Sequence, residues 1–392
     1  MDQSRNLSRR SFLKLVGAAT GGTILASCRS LIPAPKATAP LPHPRVGIAR
    51  ASSYDPKLVR RQVENLLDSL GGLRDIVKPG DKVAIKVNLT GGVKTFPPPA
   101  GTTPPESYVT HPSVARAIGE LLRDAGAKEI SIVDAVWEWE SFVDWGYVDM
   151  TQNIGARLID LNDSKPFADY TSIPVGRGWF IYEKFICNPL VAEVDAFVSL
   201  SKMKCHWLCG ITQSMKNLVG LVPFKFYERI PGDGYRTGFH GAEAETKQRL
   251  PRVILDLNRA RPIHLSLIDG IQTVDGSEGP WNQDLHRKSP GILIGGKNPV
   301  AADAVAVAAM GFDPTMDYPN SPFLRAENHL NLARQLGLGS NRLTDIEIVG
   351  ARLEEVKMQF RPALGSNAPD WAGFGMPRAA VPGGGQAHPA HF

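Results

Sequence analysis

Hydrophobic and polar positions alternate along this chain in a way that predicts strands separated by helices. Short apolar runs rich in β-branched residues, such as Lys82 to Asn88 (KVAIKVN) and Glu129 to Asp134 (EISIVD), are typical of buried strands. Between them, Pro112 to Ala125 has apolar residues at helical spacing, begins on Pro and ends before Gly126. A strand, a helix and a second strand in this order indicate neighbouring parallel strands.

The same pattern continues through the second half of the chain. Asn298 stands directly before Pro299, where it can cap a helix. The sequence predicts an α/β fold, with a mixed, mostly parallel sheet flanked by helices, in a single compact domain over residues 45–361. The strands predicted in this half are Asp195 to Leu200, His264 to Asp269, Ile292 to Gly295 and Asp345 to Val349, and the helices are Pro299 to Met310 and Asn328 to Gln335.

The N-terminus has the pattern of an export signal rather than of a folded element. Ser8 to Lys14 (SRRSFLK) resembles the twin-arginine signal, with Arg9 and Arg10 as its defining pair, and a short, weakly apolar stretch follows. Leu25 to Cys28 (LASC) resembles a lipoprotein box, in which Cys28 would carry the lipid. Residues 1–27 are therefore predicted to be a twin-arginine signal peptide. A cleaved signal without lipid and a cytoplasmic basic N-terminus are the alternatives.

Two further segments lie outside the predicted domain. Residues 28–44 are rich in Pro and are predicted to form an extended tether, whereas residues 362–392, rich in Gly, Pro and Ala, are predicted to be disordered. A domain on such a tether would lie in the periplasm or on the outer cell surface, attached to a membrane through the lipid on Cys28. Its transient partner during export would be the twin-arginine translocase.

The charge and hydropathy of the chain bear on whether it binds nucleic acid or spans a membrane. The chain has 392 residues and a formal net charge of +5, but the predicted signal supplies part of that charge. Without residues 1–27 the chain keeps 40 basic and 38 acidic residues, so it is nearly neutral. This balance gives no reason to expect nucleic-acid binding, and no segment after the signal approaches the roughly 20 apolar residues of a transmembrane helix.

Polar residues stand where the predicted strands end. Lys86 and Asn88 end one strand, Asp134 ends the next, and the segment SKMKCHWLCGITQSMKN (201–217) follows a third. Because the carboxyl ends of parallel strands lie along one edge of a sheet, these side chains are expected to meet in one pocket. An ammonium group buried without a partner is costly, so the positive groups should surround an anion.

The residues of this predicted pocket fall into two groups. Those predicted to act in catalysis are His206, Lys204 and Lys216, because an imidazole or an activated amine can transfer protons or attack a carbonyl group. For the lysines the alternative is a solvated basic face of a helix, and for His206 it is a structural role. Asp303, which is predicted to hold the ligand, could instead be structural. Those predicted to hold a small anionic ligand are Lys86, Asn88, Lys202, Asn217, Asp134 and Asp303.

The cofactor is left open by the sequence, and a metal ion is one option. Asp269, Asp275 and Glu278 belong to a Gly-rich segment and offer the oxygen ligands that Mg²⁺ and Ca²⁺ prefer. Such segments are also common without metal, so a plain loop is the alternative. The sequence contains no ferredoxin-type run of cysteines that would bind an iron–sulfur cluster.

The cysteines and tryptophans allow two interpretations each. Cys205 and Cys209 would share one face of a helix, where with His206 they could form a soft metal site. Small buried residues are the simpler interpretation for both and for Cys187. Three tryptophans could line a pocket wall or cover the core, namely Trp137, Trp139 and Trp145.

Together these motifs resemble the bacterial and archaeal family called domain of unknown function 362. The resemblance spans roughly residues 45–315 and depends most on SLSKMKCHWLCGITQSMKNLVGLVP (199–223) and LIDGIQTVDGSEGP (267–280). It implies a fold and the positions of a site, but no activity, because the family's reaction is not established. Many relatives carry an attached iron–sulfur module, and this sequence has none, which argues against an electron-transfer role.

Three functions fit this pattern. The first is an exported enzyme acting on a small anion, with proton transfer at His206 or a lysine and the remaining positive charges stabilising an oxyanion. The second is an exported binding protein for an anionic ligand or a metal complex. The third is an accessory lipoprotein of a redox complex. The sequence does not decide whether the chain is an enzyme.

Overall fold

The computed structural model of the protein describes residues 43–93, 98–232, 235–281 and 284–364. The predicted export signal, the lipidation site Cys28 and nearly all of the tether and tail lie outside the described residues. Residues 362–364, assigned above to the tail, pack on the domain instead. Ala363 is buried, and Arg325 donates a hydrogen bond to the carbonyl oxygen of Leu364 at 2.7 Å. The folded domain therefore extends slightly beyond its predicted end.

A central sheet of eight strands organises the described residues. Its strand order is β14-β1-β13-β10-β7-β2-β3-β4, and three antiparallel pairs, β5–β6, β8–β9 and β11–β12, lie outside it. In chain order the described strands are β1 (Arg45–Arg50), β2 (Lys82–Lys86), β3 (Glu129–Asp134), β4 (Arg157–Asp160), β5 (Thr171–Pro174), β6 (Lys184–Cys187), β7 (Ala196–Lys202), β8 (Lys204–His206), β9 (Gly210–Thr212), β10 (Leu265–Gly270), β11 (Thr273–Asp275), β12 (His286–Lys288), β13 (Ile292–Gly296) and β14 (Glu347–Gly350).

The sheet is mixed and mostly parallel, which confirms the predicted fold class. Within the described sheet, β13 alone runs antiparallel to its neighbours β1 and β10. The other seven strands share one direction, and the five from β10 to β4 form an uninterrupted parallel block. The carboxyl ends of that block therefore meet at one edge, as the sequence analysis expects.

Helices cover both faces of the sheet. The longer helices α1, α2 and α4 pack on one face, and α8, α9 and α10 pack on the other. In chain order the described helices are α1 (Pro56–Ser69), α2 (Pro112–Asp124), α3 (Glu140–Asp144), α4 (Tyr147–Ile154), α5 (Leu190–Glu193), α6 (Ser214–Asn217), α7 (Thr237–His240), α8 (Thr246–Ala260), α9 (Pro299–Ala309), α10 (His329–Gln335) and α11 (Leu353–Val356), with short 3₁₀ turns at Leu218–Leu221, Phe224–Phe226, Glu243–Glu245 and Leu343–Asp345.

Successive residues of a strand face the two helical layers in turn. In β2, Val83 and Ile85 pack with α1 and α2, whereas Ala84 packs in the core formed with α8 and α9. Because both faces are buried, a central strand needs apolar residues at consecutive positions. This double burial explains why the strands are visible in the sequence as continuous apolar runs.

The segment after β7 differs most from the sequence analysis. Strand β7 continues to Lys202, beyond its predicted end at Leu200, and the chain then forms the hairpin β8–β9. The helix considered for Cys205 and Cys209 is therefore wrong, since Cys205 pairs with Ile211 in the hairpin. The pattern also failed to predict β1 and α1.

The chain order of the parallel strands reverses between β2 and β7. From β2 the chain proceeds to β3 and β4 on one side, and β7 and β10 then add to the other side. The loops that leave β2 and β7 therefore diverge and open a crevice at the carboxyl edge of the sheet. Open α/β sheets bind their ligands at such a reversal.

Helix α9 has the predicted cap. The side chain of Asn298 accepts a hydrogen bond from the backbone N–H of Ala301 at 3.0 Å, and its Nδ2 donates to the carbonyl of Leu338 at 2.9 Å. The helix behind this cap is buried along its whole length, so its N-terminal N–H groups have little access to water. Asn298 therefore fixes the start of the helix and the approach of the following loop.

We expect Asn298→Ala to lower the free energy of unfolding by about 1–2 kcal/mol, because a buried helix terminus loses its acceptor. Urea denaturation measures the loss. Asn298→Asp is the matched control, because it keeps the capping oxygen and gives up only the bond to Leu338. Equal losses in the two variants would show that the cap contributes nothing.

Candidate functional site

A cavity of about 160 Å³ opens at the carboxyl edge of the sheet, where the strand order reverses. A water molecule needs roughly 10–15 Å³ on this measure, so the cavity has room for a small organic molecule. Its polar wall consists of the cations Lys86, Lys204, Lys216 and Arg236, the carboxylates Asp134 and Glu278, the imidazoles His206 and His240, and neutral groups that include Asn88, Thr90, Thr212, Asn217 and Thr237.

The base of the cavity is an ion pair between two neighbouring strands. Lys86 Nζ, at the end of β2, lies 2.7 Å from Asp134 Oδ1 at the end of β3, and both side chains are buried. The other donors of Lys86 reach the carbonyl of Val87 at 2.6 Å and Oδ1 of Asn217 at 3.4 Å. Burial lowers the pKa of Lys86 and raises the pKa of Asp134, and the opposite charge of each partner counteracts both shifts.

Asn217 connects this pair to the strand on the other side. Its Nδ2 donates to the carbonyl of Lys86 at 2.9 Å and to Oγ of Ser199, in β7, at 3.1 Å. One amide thus bridges β2 and β7 across the reversal point. The prediction that Lys86, Asp134 and Asn217 come together is met by the geometry, although their hydrogen bonds are mostly to one another.

Lys202 lies outside the cavity, contrary to its predicted role in holding the ligand. Its Nζ donates to Asp269 Oδ2 at 2.9 Å, to the hydroxyl of Tyr54 at 2.8 Å and to the carbonyl of Pro105 at 2.8 Å. These three bonds use all three N–H groups of an ammonium. Lys202 is in register with Asp269 on the adjacent strand, so the pair joins β7 to β10.

Lys204 has a different environment from the other two buried lysines. Its side chain is 1% exposed, and its Nζ donates one hydrogen bond, to the carbonyl of Tyr108 at 2.7 Å. Among the described residues no carboxylate lies within salt-bridge distance of this amine. Burial, aided by the positive charge of Lys216, lowers the pKa of Lys204 well below its usual range.

His206 faces the cavity as a neutral hydrogen-bond donor. Its Nδ1 accepts from the backbone N–H groups of Leu208 at 3.1 Å and Cys209 at 3.3 Å, which places the proton of the neutral ring on Nε2. Burial lowers the pKa of His206 well below its usual range, and the charge of Lys216 adds to this effect. The imidazole can therefore donate to a ligand atom through Nε2–H, but that nitrogen has no lone pair for a metal ion.

Lys216 and Arg236 supply the remaining positive charge. Lys216 is half-buried on α6 and has no carboxylate within salt-bridge distance among the described residues. Arg236 stacks its guanidinium 4.2 Å from the centre of the Phe224 ring and donates from Nε to the carbonyl of Val222 at 2.7 Å. Burial lowers the pKa of Arg236 to about 10, so it stays charged at neutral pH. No sequence motif marks Arg236, because it stands in an irregular segment, and it is absent from the predicted site.

Three polar atoms in the cavity wall are buried and have no hydrogen-bond partner among the described residues. They are Oδ1 of Asn88, Oγ1 of Thr212 and Nη2 of Arg236. Buried polar atoms are nearly always hydrogen-bonded in folded proteins, to protein, water or ligand. Their convergence on one cavity indicates that the cavity holds a polar molecule when it is filled.

Asp303 positions the site without lining it. Its two carboxylate oxygens accept from the backbone N–H groups of Ser214 at 2.8 Å and Met215 at 2.9 Å, at the start of α6. Helix α6 carries Lys216 and Asn217, so the carboxylate fixes their orientation. Burial raises the pKa of Asp303 to about 7. This arrangement favours the structural alternative over a role in ligand binding.

The three carboxylates considered for a metal ion make separate contacts. Asp269 accepts hydrogen bonds from Lys202 and Tyr54, and Asp275 accepts one from Nη2 of Arg361 at 2.8 Å. No group of three His, Cys, Asp or Glu side chains that could hold a metal ion occurs in the described part of the chain. The cysteines are buried, and burial raises the pKa values of Cys187 and Cys209 to about 12, which disfavours thiolate ligands.

Glu278 is the one carboxylate of that set that reaches the cavity. It accepts from the backbone N–H of Trp207 at 3.1 Å and from Nε1 of Trp281 at 2.9 Å. Burial raises the pKa of Glu278. An aromatic wall stands beside it, because the ring of Trp137 lies 6.1 Å from that of Trp281 and 5.1 Å from that of Tyr235.

Of the three tryptophans considered for a pocket wall, Trp137 alone lines the cavity. Trp145 is buried in the core with α2 and α4. Trp139 packs its ring against Phe142, with ring centres 5.3 Å apart. The cavity therefore has one apolar wall and one cationic wall.

Fold and site together define an open-sheet α/β protein with a mainly cationic cavity at the reversal of strand order. The chain belongs to the family described as domain of unknown function (DUF362), whose model matches residues 83–308. No helix in the described part of the chain is long and apolar enough to cross a membrane.

Other proteins share parts of this sequence and structure. The chain is 24% identical over 338 residues to the thylakoid-associated protein sll1697 of Synechocystis sp., covering 85% of this chain and 91% of that protein. Solved structures also match, at low similarity. The lactate racemase apoprotein of Thermoanaerobacterium thermosaccharolyticum has a TM-score of 0.37 and 16% identity, with coverage of 69% of this chain and 57% of that one. A Thermotoga maritima protein has a TM-score of 0.35 and 12% identity, with coverage of 67% and 60%.

We expect Lys86→Met to lower the free energy of unfolding by about 3–5 kcal/mol, because Asp134 is left buried without its counter-charge. The double variant Lys86→Met/Asp134→Leu should lose less than the single variant. Urea denaturation of both, with the half-exposed pair Lys297–Asp75 as control, tests this. Lys297→Met should cost about 1 kcal/mol or less. Additive losses in the double variant would contradict the coupling of Lys86 and Asp134.

Proposed function

We propose that this protein is an enzyme that binds a small organic anion in the cavity and transforms it by proton transfer. The observation that carries the proposal is the charge of the cavity wall. Four cationic side chains face two carboxylates there, so the wall has a net positive charge. The balance stays positive if Lys204 and Glu278 are both neutral, since Lys86, Lys216 and Arg236 then face Asp134 alone.

The hydrogen bonds that the charged groups of the wall already make favour an anionic ligand over a neutral one. Both oxygens of Asp134 already accept a hydrogen bond, Oδ1 from Lys86 and Oδ2 from the backbone N–H of Leu89, each at 2.7 Å, and no bond from Lys216 or Arg236 to this carboxylate occurs in the described structure. Lys216 and the unpartnered Nη2 of Arg236 thus remain to bind an external group. A carboxylate or phosphate meets charged donors of this kind with strong hydrogen bonds.

Proton transfer is the chemistry that the remaining groups favour. Burial pushes Lys204 toward its neutral, basic form and Glu278 toward its protonated, acidic form. A base and an acid whose pKa values are shifted in this way are typical of active sites. His206 adds a neutral donor through Nε2–H, suited to an oxygen that gains negative charge during reaction.

We expect isothermal titration calorimetry with a panel of small carboxylates and inorganic phosphate to detect binding that weakens as salt is added. Lys216→Met and Arg236→Met should each weaken it about 10- to 100-fold, because each removes a charge-assisted hydrogen bond worth about 1.5–3 kcal/mol. Lys57→Met, on the exposed side of α1, is the matched control and should bind normally. Unchanged affinity in both cavity variants would refute the anion site. Binding without turnover of any ligand would favour the non-catalytic binding protein.

Export and lipid attachment are part of the same proposal. The twin-arginine pattern and the lipoprotein box support them, and the thylakoid association of the Synechocystis relative agrees with a protein held at a membrane. Lipidated Cys28 would tether the cavity on the periplasmic or outer side.

Replacing Arg9 and Arg10 by Lys should leave the full-length chain in the cytoplasm, because the translocase recognises the arginine pair. Cys28→Ser should allow export but release the chain from membranes. Cell fractionation followed by immunoblotting measures both. Normal export of the double-lysine variant would refute the signal, and continued membrane attachment of Cys28→Ser would refute the lipid.

A further inference from the structure

We propose that Lys204 is a nucleophilic amine that forms an imine with the carbonyl carbon of a small 2-oxo acid. This inference depends on the proposed function, because the same cavity must first bind the acid's carboxylate. It adds a covalent step and a substrate class, namely a carboxylate with a neighbouring ketone or aldehyde.

The contrast among three buried lysines carries the inference. Lys86 and Lys202 each have a carboxylate within 3 Å and three acceptors for their three N–H groups. Both are therefore ammonium groups that serve as structural cations. Lys204 has one acceptor, the carbonyl of Tyr108 at 2.7 Å, and it lines the cavity. A neutral amine fits this environment, because one N–H donates to the carbonyl and the lone pair stays available.

The electrostatic surroundings of Lys204 agree with a neutral amine. Burial and the nearby charge of Lys216 both disfavour its ammonium form. Of the two carboxylates in the wall that could stabilise that form, Glu278 has a raised pKa and Asp134 is paired with Lys86. Desolvated lysines beside another cation are known nucleophiles toward carbonyl groups. Position and protonation state therefore point to the same role.

Other residues of the cavity can bind the carboxylate and the carbonyl oxygen of the 2-oxo acid. Lys216 and Arg236 can hold the carboxylate, while Nε2–H of His206 can hold the carbonyl oxygen as it gains charge. Attack of the Nζ lone pair forms the C–N bond and breaks the carbonyl π bond, and one proton passes from the nitrogen to the oxygen to give a carbinolamine. Protonated Glu278 donates a proton to the hydroxyl, which leaves as water as the C=N bond forms, and the resulting iminium returns its remaining N–H proton to the Glu278 carboxylate. Amine and ketone thus give imine and water, with no oxidant or reductant.

The test is borohydride trapping on the purified, exported protein. Pyruvate or glyoxylate is added at pH 6 and pH 8, sodium cyanoborohydride reduces any imine to a stable secondary amine, and tandem mass spectrometry locates it. We expect one modified lysine, Lys204, at both pH values. Exposed lysines should react much less at pH 6, because they are protonated. Lys57→Met should not alter the modification of Lys204, and Lys204→Arg should abolish it.

Two comparisons separate this inference from the proposed function. Lys216→Met should reduce trapping with pyruvate about ten-fold or more relative to trapping with acetone, because acetone has no carboxylate, whereas the effect of Lys216 on the protonation of Lys204 is common to both compounds. If calorimetry detects a bound carboxylate and Lys204 remains unmodified by both 2-oxo acids, the imine is refuted while the anion site stands. If no carboxylate binds and the label spreads over surface lysines, both proposals fail. Residue-level detection in the unaltered protein keeps the test valid even if Lys204→Arg does not fold.

Discussion

The ion pair between Lys86 and Asp134 is the interaction on which the site depends. Removing an ammonium and a carboxylate from water costs several kcal/mol for each ion, and only close pairing with further hydrogen bonds offsets that cost. The pair meets this condition because β2 and β3 are adjacent and parallel, so their carboxyl ends lie side by side. Asn217 then joins the pair to β7. These contacts join β2 and β7 at the base of the cavity, whereas the loops that leave the two strands diverge above it.

The need to pair buried charges also explains which lysines are structural and which one faces the cavity without a counter-charge. Lys202 and Asp269 stand in register on β7 and β10, and their mutual bonding removes both from the cavity. Two residues later the chain has left the sheet, and Lys204 projects from a hairpin where no strand offers a matching carboxylate. Two residues of chain therefore separate a paired, structural cation from the amine that we propose to be reactive. This division follows from strand pairing rather than from residue type.

The sequence predicted the fold class and the edge of the sheet at which the site lies, because both depend on local hydrophobic patterns and on strand order. It did not predict which lysines remain available, since that depends on register between strands far apart in the chain. Lys202 and Lys204 look equivalent in SKMKCH, and only the contact with Asp269 distinguishes them. Arg236 and the backbone contacts of Asp303 depend on long-range packing and have no local signal.

The unpartnered groups of the cavity also bear on stability. Three buried polar atoms of the cavity wall have no hydrogen-bond partner among the described residues, and a buried polar atom in that state costs about 1–3 kcal/mol of stability. A carbonyl compound with a carboxylate would satisfy several of these groups at once. Arg236 would gain an acceptor for its Nη2. The groups that make the cavity costly to the fold are therefore those that the proposed anion would satisfy, and local rules of stability are most often broken in this way at functional sites.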